Sequence, residues 1–205
     1  SAEILEYEKE NSISEKEIGI LKNLKEIIAH LQSRRVIETA TQKPSLVIIL
    51  RKFLGVSNLT LIPRLQTQAC YRTARANLDV YVLFAWHKIC DFAANQVVSE
   101  KPLDTALLAQ RIPDIKELML AGEPNKFIPK LRDIFASCGI SFAVVPHFKG
   151  APVQGFIKKR QSGGLSLCMT ICGARADIFW FTLFHEIAHI LNGDADSQFT
   201  DYIDE

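Results

Sequence analysis

Residues 181–194 read FTLFHEIAHILNGD, and within them His185, Glu186 and His189 stand as His-Glu-x-x-His. Positions four apart on an α-helix lie about 40° apart around its axis, so both imidazoles can reach one cation. Glu186 sits one step round, beside that cation. A zinc ion there would bring the pKa of a water toward neutrality, and the Glu186 carboxylate would take its proton as it attacks a carbonyl. The same carboxyl would then pass the proton to the leaving amine. Phe184, Ile187, Ala188, Ile190 and Leu191 are apolar and would seat the helix, and Ala188 is small enough to leave room near the ion. The bland alternative is two histidines on an ordinary helix. The chain has only five histidines, which makes the pattern rare by chance and favours the metal reading.

A catalytic zinc usually has three protein ligands. After His189 the chain offers Asp194, Asp196, Asp201, Asp204 and Glu205, none in an obvious second helix. His30, His87 and His147 read as core or surface residues, His147 having the best claim because it follows a strand-like run. Tyr202 could serve as an oxyanion donor, although its spacing does not demand it. Trp86 and Trp180 read as core, with a secondary claim for Trp180 to line a substrate groove. Arg34-Arg35 and Lys158-Lys159-Arg160 read as solvated faces, since the net charge of +1 is not that of a chain built to coat nucleic acid or an anionic membrane.

The elements that must position this motif fall into two groups. The chain has 205 residues, 48% hydrophobic and 23% charged, a globular composition. No apolar run is long enough to span a bilayer and no signal peptide opens the chain, so a cytoplasmic location is expected. The opening Ser1-Ala2 suggests a fragment. Ser12 or Ser14, each with a glutamate three residues on, looks like a capping box. Ile20, Leu21, Leu24, Ile27, Ile28 and Leu31 then repeat with helical period, facing a core or a second copy in a homodimer. Further helices are expected over Pro44–Leu54, around Trp86, over DTALLAQRIPDIKELML and over KFIPKLRDIFASCG, each of the last two marked by a proline. After residue 138 the pattern changes to β-branched and apolar. ISFAVVP, APVQGFIKK and LSLCMTI read as strands, with a turn at Gly163-Gly164. The expectation is an α+β chain. An all-helical region, 1–138, is followed in 139–205 by a small, mostly antiparallel sheet packed on the HExxH helix. Cys70, Cys90, Cys138, Cys168 and Cys172 form no CxxC pair and read as buried free thiols in a reducing cytosol.

DIFWFTLFHEIAHILNGD resembles the active-site helix of the ImmA/IrrE-type metallopeptidases, in which an aromatic run leads straight into HExxH. GISFAVVPHFKGAPVQGFIKK and LSLCMTI resemble the strands that precede that helix. VIILRKFLGVSN, the helix around Trp86 and FIPKLRDIFASCGI resemble the middle region of HigA-like antitoxin regulators of the XRE class. The resemblance covers most of residues 40–203 and is sharpest over 139–194. It implies that His185 and His189 are zinc ligands and Glu186 the general base, in a zincin-like domain that acts on a protein substrate, a repressor or a toxin. It also implies a DNA-binding helix-turn-helix before residue 1 and a third ligand, a glutamate, after residue 205. The domain in 139–205 would then be truncated, with zinc weakly held or missing, because two imidazoles bind it far less well than a closed shell. A non-catalytic sensor, or an antitoxin that neutralises a toxin by binding alone, is the competing expectation.

Overall fold

In the computed structural model, residues 12–39, 42–65, 78–97, 100–120, 123–171, 176–194 and 199–202 are described. They fall into two compact units, the first comprising residues up to 88 with Phe148–Ala151, the second Ile89–His147 and the residues from Pro152 onward. The chain is α+β.

In the first unit, Ser14 of the two candidate serines caps α1 (Glu15–Ile20): its hydroxyl accepts from the Glu17 N–H while the Glu17 carboxylate reaches back to the Ser14 N–H. The apolar run expected to be one helix is two. Bonds of the i→i+3 kind at Leu21, Lys22 and Asn23 tighten the turn between α1 and α2 (Lys25–Ser33). Ile20, Leu21, Leu24, Ile27, Ile28 and Leu31 are nonetheless all buried, because so tight a turn barely rotates the apolar stripe. α3 (Lys43–Leu54) carries Pro44 in its first turn and ends at Gly55, as expected. Among the described residues, a 3₁₀ turn (Leu59–Leu61), α4 (Ile62–Leu65) and the first half of α5 (Val80–Asn95) follow. Asp79 caps α5 and also accepts from Asn23 Nδ2 at 2.6 Å. Glu17 ties these pieces together. Fully buried, it accepts from Arg51 Nε at 2.8 Å and from the Leu59 N–H at 3.0 Å, and it pairs with the Arg51 Nη2 at 2.5 Å. Burial pushes its carboxyl upward. The Arg51 bond, the Leu59 and Ser14 N–H groups and the Arg51 charge together outweigh this and hold it below the ordinary glutamate range.

In the second unit, α6 (Thr105–Met119) starts at its cap Asp104 and runs through Pro113, which is exposed like Ala109 four residues before it, so the carbonyl that proline frees faces water. α7 (Pro124–Ser137) leads into β1 (Ile140–Pro146). β2 (Val153–Lys159), β3 (Leu165–Ile171), α8 (Ala176–Asn192) and β4 (Phe199–Tyr202) follow. The sheet order is β1-β3-β2-β4. β1 and β3 are parallel, Phe142 opposite Leu167, while β2 pairs antiparallel with both β3 and β4. The sheet is therefore mostly antiparallel, as expected, with one parallel pair. β1 and β3 are buried along nearly their whole length and so show little alternation. Ile140, Phe142, Leu165, Leu167, Met169 and Ile157 join one core cluster with α6, α7 and α8. The last turns of α5 lie on the sheet too: the Cys168 thiol donates to the Cys90 carbonyl at 3.6 Å, and Lys158 pairs with Asp91 at 2.8 Å. The division expected at residue 138 is where α7 gives way to β1. α6 and α7, on its N-terminal side, share the sheet's compact unit.

A backbone junction sets the start of β1 and β3. The Asp104 N–H donates to the Cys138 carbonyl, the Leu103 N–H to Gly163 and the Leu165 N–H to Gly139. Gly139 has φ +80°, and a Cβ there would stand 2.1 Å from the Pro102 carbonyl oxygen.

Gly139→Ala is expected to cost on the order of 3 kcal/mol, from backbone strain and the Pro102 contact, read by urea denaturation. Glu17→Ala, which strands Arg51, is expected to cost about 3 kcal/mol at neutral pH. Because the folded carboxyl is held low, its stabilisation is present above the ordinary glutamate range and lost as pH falls through its folded value. The stability gap between the wild type and Glu17→Gln should thus be widest at neutral pH and close in acid.

Candidate metal centre

α8 has two kinds of buried residue. Phe179, Trp180, Leu183, Ile187 and Ile190 enter the core cluster. Thr182 and Glu186 are the polar members of the buried side. The Thr182 hydroxyl donates to Gln154 Oε1 of β2 at 3.1 Å. Phe181, His185 and Ala188 are exposed and His189 is half-buried. Asp177 in the first turn and Gly193 after the last bound the helix, as expected.

His185 and His189 come together. Their Nε2 atoms are 3.0 Å apart, with ring centroids 4.5 Å apart and planes near perpendicular at 88°. Two nitrogens on one tetrahedral zinc lie roughly 3.3 Å apart, given Zn–N distances of about 2.05 Å. The pair therefore fits one ion with little movement. His189 Nδ1 is bonded to Asp194 Oδ2 at 3.1 Å. That bond turns His189 Nε2 toward His185 and is the outer carboxylate that metal-binding histidines commonly have. Asp194, a candidate ligand by sequence, thus sits on the Nδ1 side of His189, away from the two Nε2 atoms.

Among the described residues no group of three His, Cys, Asp or Glu side chains could hold one metal ion. His147 is exposed at the end of β1 and does not join the pair. His30 stacks edge-on with Phe148, and burial, then the Arg34 charge, hold its imidazole below the ordinary histidine range. His87 is buried beside Trp86. Asp196, Asp204 and Glu205 lie outside the described residues. Asp201 is placed by backbone register only, opposite Gly155, as Tyr202 is opposite Val153.

Glu186 is fully buried, and its carboxylate lies against the backbone of β2 at Gly155. The outer side of β2, the strand beside α8, is paired with β4. That side of β2 is therefore filled by the chain's own residues 199–202. A shallow recess further along α8 is lined by Gln154, Asp177, Ile178 and Phe181. Trp180 is core, 4.8 Å from Phe127 by ring centroids. Cys90, Cys138 and Cys168 are buried free thiols, the Cys90 thiol pushed well up by burial; Cys70 and Cys172 lie outside the described residues. In the basic triplet, Lys158 is spent on Asp91, and Arg160 donates to the Ser166 hydroxyl at 3.2 Å.

Sequence reasoning missed Gly155. A lone glycine inside the apolar strand run APVQGFIKK signals a close backbone approach, and that signal was present. Comparison of the chain with family models, with curated proteins and with solved structures finds no match.

Asp194→Ala is expected to weaken zinc binding about tenfold, measured by competition with a chromophoric chelator. His185→Ala should remove binding at this site in the same assay.

Proposed function

We propose that residues 139–205 form a zinc metallopeptidase-like domain of a bacterial transcriptional regulator or antitoxin, which hydrolyses a peptide bond in a protein partner. The convergence of His185 and His189 Nε2 atoms 3.0 Å apart, with Asp194 behind His189, carries this reading. His185 and His189 would hold the metal, and zinc there would act as a Lewis acid toward water and the scissile carbonyl. Asp194 holds His189 in the orientation that leaves Nε2 for the ion. Glu186, one step round the helix, accepts the proton of the attacking water and delivers it to the leaving amine. The partner would be a repressor or toxin. DNA would be read by a helix-turn-helix outside residues 1–205, and the protein would work in the cytoplasm, as a homodimer if it follows other paired regulators. The similarity of the motif and its strands to ImmA/IrrE-type domains supports this assignment. No single helix among the described residues is long and apolar enough to cross a membrane, which agrees with it.

One observation favours a second reading. Glu186 is fully buried against the β2 backbone, and a carboxylate seated there suits a domain that senses or binds a partner without cutting it.

Glu186→Gln separates the two. For a peptidase, cleavage of the partner, followed by immunoblot of cells carrying the full-length protein, should fall by 10²-fold or more with zinc content retained. An unchanged cellular effect in that variant would leave binding as the function.

A further inference from the structure

We propose that Gly155 is the positioning residue for Glu186: its bare Cα forms the slot on β2 in which the carboxylate of the general base is held. A Cβ built at 155 would stand 1.8 Å from Glu186 Oε1, 2.7 Å from Cδ and 3.0 Å from Cγ. All three nearest atoms belong to Glu186, so the group that must move is the base itself. A left-handed backbone is not what calls for glycine here. Gly155 is absent from the positive-φ residues, unlike Gly139 and Gly150, and it pairs in register with Met169. Its neighbours two residues away, Val153 and Ile157, are fully buried, so an aliphatic side chain would be the ordinary occupant of a strand at this point. A glycine inside a strand forgoes that packing. β2 is paired with β3 on one side and with β4 on the other, where the register shifts between Val153 and Gly155, so drawing it back to admit a methyl group would disturb both ladders. The steric contact stands on its own; the catalytic consequence rests on the peptidase reading above.

The test is a double-mutant cycle between Gly155→Ala and Glu186→Ala on full-length protein, with melting temperature and partner cleavage as separate readouts. Gly155→Ala alone should lower the melting temperature by roughly 5 °C or prevent folding. In the Glu186→Ala background the same substitution should cost little, and a double variant that folds where the single one does not counts as support. Equal loss in both backgrounds, or failure of both to fold, overturns the slot. In cleavage, Gly155→Ala should reduce kcat at least tenfold with zinc content unchanged. Glu186→Asp, whose carboxylate stands one methylene further back, should recover part of that loss when combined with it. If Gly155→Ala leaves kcat and the pH profile as in wild type while Glu186→Gln abolishes cleavage, the positioning role is overturned and the contact is structural only. If no form, wild type included, cleaves the partner, the peptidase reading falls and the positioning role falls with it. The melting-temperature cycle still decides the slot in that event.

Discussion

Placing a carboxylate on the buried side of an apolar helix is the constraint on which the second unit depends. Desolvating such a group is costly, and the surroundings must be shaped to take it. On α8, Phe179, Leu183, Ile187 and Ile190 drive the helix onto the core, and Glu186 goes down with them. Once it does, the strand beneath must present backbone rather than side chain, and β2 does so at Gly155. With that face inward, His185 and His189 are left at the rim, where Asp194 can reach Nδ1 of the second ring. The imidazole pair and the carboxylate are thus fixed by how the helix is seated rather than by one another.

The first unit handles a buried glutamate by other means. Glu17 is met by Arg51 and by the Leu59 amide, and the result is an anchor joining α1, α3 and the 3₁₀ turn. A guanidinium fork satisfies a carboxylate permanently and holds its proton affinity low, which suits a structural role and would disable a base. At Glu186 the strand beneath supplies bare backbone at Gly155 in place of a side chain.

Much of this was legible in residue order, and the exceptions share a cause. Local signals held: the Ser14 capping box, Pro44 and Gly55 around α3, the strand runs of β1 to β3, and the helix around His185-Glu186-His189. The α+β class followed from the switch in pattern after residue 138. Hidden were features set by partners distant in sequence. The break at Leu21–Leu24 keeps every apolar residue in phase, so the period alone reads as one helix. The parallel pairing of β1 with β3 depends on β2 folding back outside β3, and no residue type encodes that order. β4 is a four-residue strand in an unremarkable polar stretch. Asp194 could be named as a candidate from its proximity to His189, but its place on Nδ1, away from the Nε2 pair, is a matter of ångströms. For a third ligand, the described residues supply none.

The seat of β4 sets a distance. Neighbouring strands in a sheet are about 4.8 Å apart, so a chain joining the sheet on the far side of β4 would run about 9.6 Å from β2. A peptide lying there is one strand further across the sheet than one hydrogen-bonded to β2 directly. Residues 199–202 therefore occupy the lane next to β2, and an extended chain added beyond them would pair with β4 rather than with β2.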